Sequence, residues 1–297
     1  MSAADGFHSV DVGTGPLLEG CEVSGTCDDF INVHSTIHVL YGMQAGGCRV
    51  GQACSAKLID PRLVALGNTP LAGLVDRWYG TSSPVANLRA GDTLQCFLPN
   101  TKPRYARGAD GWRRWGGPLR LQHPAMEEHN GSLLAEAAAV KDSINGAKAN
   151  PQLYGWKSLK LWHVSLLTDI ALPPLPPGGA VLCDVVRFGG RGAVLRGNFF
   201  HDLGTNGGVR WKSSGSLIVD NTILRAGNAS RPPSSRILTG VEVSALQDWM
   251  EGPMQIDDVR ISGNRWVDCG IKGWSPGHPV TVMPEATNVT QVNNTAS

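Results

Sequence analysis

The sequence predicts an all-β chain, a parallel β-solenoid carrying a small inserted β-rich domain, and three observations predict it. Gly and Pro number 37 and 19 in 297 residues, as in a chain that turns often. Four short segments share one shape: "LLEGCEV" (17–23), "VLRGNFF" (194–200), "LIVDNTI" (217–223) and "VRISGNRW" (259–266). Each is an apolar stretch, a turn residue with Asn or Cys, and a further apolar position. Asn198 and Asn221 stand 23 residues apart, the interval of one solenoid rung built from short β-branched strands with Gly or Asn at its corners. A rung cannot bury its own apolar face, so inward Val, Leu, Ile and Phe must stack on their equivalents in the rungs above and below. Asn198, Asn221 and Asn264 are therefore expected to form a corner ladder.

Residues 1–35 are read as solenoid coils with an acidic cluster. The chain opens inside a repeat, so coils N-terminal to it are expected to be missing. Residues 36–180 break the period and are read as the inserted domain and its linker. There "RAGDTLQCFLP" (89–99) predicts a turn and a strand, "GSLLAEAAAVKDSI" (131–144) a helix, and "ALPPLPPGG" (171–179) a stiff connection back to the solenoid. Residues 181–274 return to solenoid coils. The polar segment 275–297 has no clear period and is read as a loosely ordered tail.

Composition narrows the function classes. With 26 basic and 25 acidic residues the net charge is +1, and no overall field draws nucleic acid or an anionic membrane. The run "KPRYARGADGWRRWGG" (102–117) mixes basic and aromatic residues, but it is one short stretch and reads as a surface loop. The apolar runs are far shorter than the roughly 20 residues of a membrane span. Seven Cys form no C-x-x-C pair, which leaves a zinc site of ordinary spacing unsupported, and an odd number leaves at least one unpaired. Sequons at Asn130, Asn228, Asn288 and Asn293 permit glycosylation on a secretory route, although no signal peptide is recognisable.

The chemistry concentrates at the start. Asp5 and Asp28 are 23 residues apart, the rung interval, and Asp29 adjoins Asp28. Stacked rungs would bring three carboxylates into one patch, where like charges cannot all ionise freely and one acid keeps its proton. A protonated acid beside an ionised carboxylate is what glycosidic hydrolysis needs, one protonating the leaving oxygen and the other activating water. Calcium ligation and solvent-facing turns are the alternatives for these Asp residues. His8 and His34 either orient a neighbouring Asp or touch substrate. Arg210 and Lys212 share one strand face by the period of two, to meet a ligand or to face water. Trp249 and Glu251 shape a coil corner, where the Trp either stacks on a sugar or packs inward.

These residues resemble a known family. "ADGFHS" (4–9) with "GPLLEGCEVSGTCDDFINVH" (15–34) is similar to the paired acidic signature of the family 110 glycoside hydrolases. "AGDTLQCF" (90–97) resembles that family's inserted β domain. "DVVRF" (184–188), "VLRGNFF" and "GVEVSALQDWMEGP" (240–253) resemble its later coils. The resemblance implies a right-handed parallel β-helix of the pectin-lyase-like group and an exo-α-1,3-galactosidase that works with inversion and without a cofactor. It implies Asp5, Asp28 and Asp29 as catalytic residues, Asp28 read as the acid and Asp5 with Asp29 as the base. His8, His34, Arg210, Lys212, Trp249 and Glu251 become candidate substrate-binding residues, with a galactose-containing glycan as partner and a secreted or secretory-route location. The alternatives are a calcium-dependent polysaccharide lyase and a catalytically silent carbohydrate-binding protein.

Overall fold

The computed structural model describes residues 5–26, 30–43, 48–60, 88–98, 113–128, 160–176, 179–202, 208–225, 240–243, 251–267, 280–283 and 286–297. The helix expected over 131–144 lies outside the described residues, as does most of the basic and aromatic run 102–117. The first strands are β1 (Phe7–Val10), β2 (Leu17–Glu19), β3 (Glu22–Ser24), β4 (Ile31–Tyr41), β5 (Cys54–Asp60) and β6 (Thr93–Phe97). Then come β7 (Leu119–Leu121), β8 (Met126–Glu128), β9 (Lys160–Thr168), β10 (Ala180–Val185), β11 (Val194–Arg196), β12 (Phe199–His201) and β13 (Val209–Trp211). The last are β14 (Ser216–Val219), β15 (Thr222–Leu224), β16 (Val241–Val243), β17 (Glu251–Gly252), β18 (Ile256–Ser262), β19 (Arg265–Val267), β20 (Val280–Val282), β21 (Ala286–Val292) and β22 (Thr295–Ala296).

Two compact units divide the chain. The first comprises Met1–Ser35, Phe188–Ala245 and Gly252–Ser297, and the second Thr36–Arg187 with Leu246–Glu251.

In the first unit the ladders of the described strands β1–β3, β11–β16 and β18–β22 are parallel. One sheet runs β2-β11-β14-β18-β21 and another β22-β19-β15-β12-β3. In a third ladder β13 pairs with the start of β4 and with β16, and β16 with β20. The inward rows are apolar, as period-two alternation requires: Leu195 and Ile218 lie opposite one another, as do Phe200 and Ile223. These residues, with Phe30, Trp211, Ile261 and Trp266, form one buried core. Residues 286–297, read as a loose tail, form β21 and β22 on β18 and β19.

The turn between the two five-stranded sheets is built at matched positions. Gly20, Gly197, Asp220, Gly263 and Asn293 all have left-handed φ between 53° and 67°. Glycine, aspartate and asparagine tolerate that region best. Gly263 is further constrained, because a Cβ there would lie 2.1 Å from the Asp220 carboxylate. The next residue in four of these turns is Asn, and their side chains form a ladder. Asn198 donates from its backbone and side-chain N–H to Asn221 Oδ1 at 2.9 Å, Asn221 does the same to Asn264, and Asn264 to Asn294. Cys21 occupies the first position, where its backbone N–H donates to Asn198 Oδ1 at 2.8 Å.

The second unit holds a closed barrel. β10, β6, β7, β9, β5 and β4 pair in that order, and β10 returns to β4, every pairing antiparallel. Along β9, Trp162, Val164, Leu166 and Thr168 are buried while His163, Ser165 and Leu167 between them are half-exposed. A disulfide joins Cys96 of β6 to Cys183 of β10, residues that face each other in the ladder, and a second joins Cys48 to Cys54. At its edge Asp92 accepts two hydrogen bonds from Arg187, at 2.7 and 2.8 Å, and one from the Arg89 amide. Burial acts to raise the Asp92 carboxyl, but these donors outweigh it and hold it below the usual carboxylate range.

The expected right-handed parallel β-helix with a small insert is corrected by this architecture. The chain is all-β, but the described strands make a closed six-stranded antiparallel barrel and parallel sheets that stay open, and no closed solenoid is formed. The 23-residue interval matches one step, from Asn198 to Asn221, while the other steps of the same ladder span 43, 30 and 177 residues. It does not specify closure, and the barrel's partners are too far apart in sequence for any interval to reveal.

Candidate functional site

One row of polar residues crosses a parallel ladder of the first unit. On the parallel ladder His8 of β1 lies opposite Asn32 of β4, Asn32 opposite Arg210 of β13, Arg210 opposite Glu242 of β16, and Glu242 opposite Thr281 of β20. The rows on either side are largely apolar: Phe7, Ile31, Val209, Val241 and Val280 on one, and Ser9, Val33, Trp211, Val243 and Val282 on the other. The local sequences "INVH" and "VRWK" encode this by placing every second residue on the same face.

His8 at one end of the row is exposed, but Asn32 and Arg210 within it are buried, as are His34 and Lys212 two residues further along the chain from each. Asn32 is 4% exposed, His34 6%, Arg210 7% and Lys212 1%. The alternative that Arg210 and Lys212 face water is thereby overturned. Lys212 Nζ donates to Asn32 Oδ1 at 2.9 Å, and its backbone N–H donates to Val33 O at 3.0 Å. The segment after it is pinned in turn, with Trp211 Nε1 donating to Ser216 Oγ and Ser216 Oγ donating to Ser213 O.

One end of the row carries a chain of titratable groups. Asp5 Oδ2 lies 3.5 Å from His8 Nδ1, and His8 Nε2 lies 2.7 Å from His34 Nε2. His34 Nδ1 is 2.9 Å from the Ser35 carbonyl oxygen. A carbonyl only accepts, so that nitrogen carries hydrogen. Next to Asp5, Gly6 has no room for a side chain, since a Cβ there would run into the Val23 side chain and the Phe30 carbonyl oxygen.

Of the residues expected at the site, Asp5, His8, His34, Arg210 and Lys212 come together on this ladder. Asp28, Asp29 and Trp249 lie outside the described residues, and Glu251 opens β17 with its side chain outside the description. The register corrects one premise. β1 and β4 pair with Phe7 opposite Ile31, an offset of 24 residues, so the 23-residue spacing of Asp5 and Asp28 is not the offset of this ladder. Sequence reasoning missed Asn32, a lone polar residue between β-branched neighbours in "INV", and that alternation was the available signal.

Chemically, Asp5, His8, His34, Asn32, Arg210 and Lys212 together offer one carboxylate, two imidazoles, an amide and two buried cations. That set donates hydrogen bonds readily to hydroxyl-rich or anionic groups. Among the described residues no group of three or more His, Cys, Asp or Glu is placed to hold a metal ion, and no helix is long and apolar enough to cross a membrane. Compared with known proteins, the chain matches no family model and no curated protein.

Proposed function

We propose that this protein is a glycoside hydrolase that removes terminal α-linked galactose from glycans. The observation that carries the proposal is the group of buried polar residues Asn32, His34, Arg210 and Lys212 beside the Asp5, His8 and His34 chain. Cleaving a glycosidic bond needs a proton for the leaving oxygen, a base for water and donors to hold sugar hydroxyls. Asp5 with the two imidazoles supplies the titratable end, and Asn32, Arg210 and Lys212 supply donors along the row. Galactose as the sugar, and inversion as the outcome, come from the resemblance in the acidic segments. The reading rests on the site rather than on a solenoid fold. Two disulfides favour an oxidising compartment, in keeping with a secretory route.

Galactose released from α-galactosides is the measurement that tests this. Wild type is expected to release free sugar, and Asp5→Asn, Asp28→Asn and Asp29→Asn to lower the rate by about 10²-fold or more where the carboxylate acts in proton transfer. Equal rates in all four proteins would sink the site. EDTA is expected to leave the rate unchanged, and its loss on chelation would point instead to a calcium-dependent lyase.

A further inference from the structure

We infer that Asn293, in the sequon Asn293-Asn294-Thr295, carries an N-linked glycan, and that this glycan shields the edge at which the two five-stranded parallel sheets end. The inference rests on the secretory route of the proposed function and not on its galactosidase chemistry.

The turn that holds Asn293 repeats along the sheets, at Gly20, Gly197, Asp220 and Gly263. Gly20 N–H donates to Arg196 O, Gly197 to Val219 O, Asp220 to Ser262 O and Gly263 to Val292 O, each onto the strand that follows in its sheet. The series stops at Asn293, because β21 and β22 are the last described strands of their sheets. A side chain at this turn leans the same way as those bonds: the Asp220 carboxylate fills the space that a Cβ on Gly263 would take. With φ of 53° against 55° at Asp220, the same lean carries the Asn293 side chain beyond β21 and β22. Within the sequon, Asn294 is the anchored residue. Its Oδ1 accepts from Asn264, and its Nδ2 donates to Ile261 O at 2.9 Å. Asn293 and Thr295 on either side of it are exposed. The sequon at Asn288 is placed differently, since its Nδ2 donates to Asp257 Oδ1 at 2.8 Å and a sugar there would crowd a bond between β21 and β18. Asn130 and Asn228 lie outside the described residues.

The edge itself calls for a cover. An exposed strand edge pairs readily with another chain, and charged side chains or Pro ordinarily prevent this. The opposite edge has such charges, with Glu19 on β2 and Glu22 on β3 both exposed. Residues 286–297 contain no charged residue and no Pro, and Val292 among them is 44% exposed. A bulky hydrated glycan on Asn293 supplies the missing block. The sugar comes from an oligosaccharide linked to a lipid pyrophosphate, the donor class of the secretory membrane. Asn293 Nδ2 bonds to the anomeric carbon of the first sugar, and the bond from that carbon to the pyrophosphate oxygen breaks. The lipid pyrophosphate leaves with the electron pair, and Nδ2 releases one of its two hydrogens as a proton. Asn294 is untouched, so the Asn ladder survives the modification.

The test places the full chain behind a cleavable secretion leader in a eukaryotic cell and reads secreted and retained protein alike. Glycan release by a peptide N-glycosidase in ¹⁸O water, followed by peptide mapping, is expected to mark Asn293. Asn293→Gly and Thr295→Val are each expected to remove one glycan from the intact mass, and Thr295→Ser to keep it. Asn293→Gly is expected to fold, because Gly already occupies this turn at positions 20, 197 and 263. An unmodified Asn293 overturns the inference and leaves the hydrolase reading as it was, whereas a glycosylated chain that releases no galactose sinks that reading alone. Shielding is read by light scattering at matched concentration, where Asn293→Gly and Thr295→Val are expected to self-associate about threefold faster or more than glycosylated wild type and Thr295→Ser. Equal association in all four proteins would overturn the shielding role.

Discussion

Single side chains on the outer face of the first unit show how far local pairing can set a charge state. His201 Nδ1 lies 2.7 Å from Asp202 Oδ2 and its Nε2 lies 3.0 Å from Glu22 Oε1. Both nitrogens face carboxylates, so both act as donors. Asp202, and to a lesser degree Glu22, hold the imidazole above its usual value of 6.5. Asp202 is held below the usual carboxylate range by His201 first and by Arg225 second. A raised imidazole contributes stability that is complete below the unfolded value, about 6.5, and is lost as pH rises through the folded one. The ¹⁵N titration of His201 is thus expected to have its midpoint above 6.5, and Glu22→Gln to bring it down. An unmoved midpoint in Glu22→Gln would show that Asp202 acts alone. The cluster is exposed, so its effect belongs to titration and salt dependence more than to global stability.

At the scale of elements, the Asn ladder ties successive parallel strands together at their turns. Strands of three or four residues offer few backbone bonds each, and the ladder adds side-chain bonds at every turn. Asn221 is 1% exposed and sits between two neighbours. Its Oδ1 accepts twice from Asn198, and its Nδ2 donates to Leu195 O and to Asn264 Oδ1. Asn221→Ala strips buried groups of their partners and is expected to destabilise the fold by about 2–4 kcal/mol, measured by chemical denaturation. Asn294→Ala, at the more exposed end where water can replace the amide, is expected to cost about 1 kcal/mol. Comparable losses in the two variants would show that the ladder has no cooperative interior. Asn198, Asn221 and Asn264 were legible beforehand as a ladder, because each sits in a segment of the same apolar-turn-apolar shape, whereas Asn294 lies in the segment read as a loose tail.

At the scale of the whole molecule, long-range closure dominates. β10 pairs with both β4 and β6, and its bond to β6 is reinforced by Cys96–Cys183, whose partners are 87 residues apart. Linking so distant a pair restricts the unfolded chain, and removing such a bond typically costs about 2–5 kcal/mol. Cys96→Ser with Cys183→Ser is therefore expected to lower the denaturant midpoint of the barrel, read by Trp162 and Trp115 fluorescence. An unchanged midpoint would mean that the antiparallel pairing alone keeps the barrel closed.

The sequence by itself determined the all-β character, the parallel pairing of the "VLRGNFF", "LIVDNTI" and "VRISGNRW" strands, the Asn ladder, and Asp5, His8, His34, Arg210 and Lys212 as residues to watch. All of these follow from local rules, an alternation of two along a strand and the few residues that tolerate a left-handed turn. Only the tertiary structure decided that β4, β5, β6, β7, β9 and β10 close into a barrel. It also decided that β1 meets β4 at an offset of 24, and that Arg210 and Lys212 are buried. Closure, register and burial depend on which distant side chains fill the same space. A short apolar strand fits many such partners until the rest of the chain has chosen one.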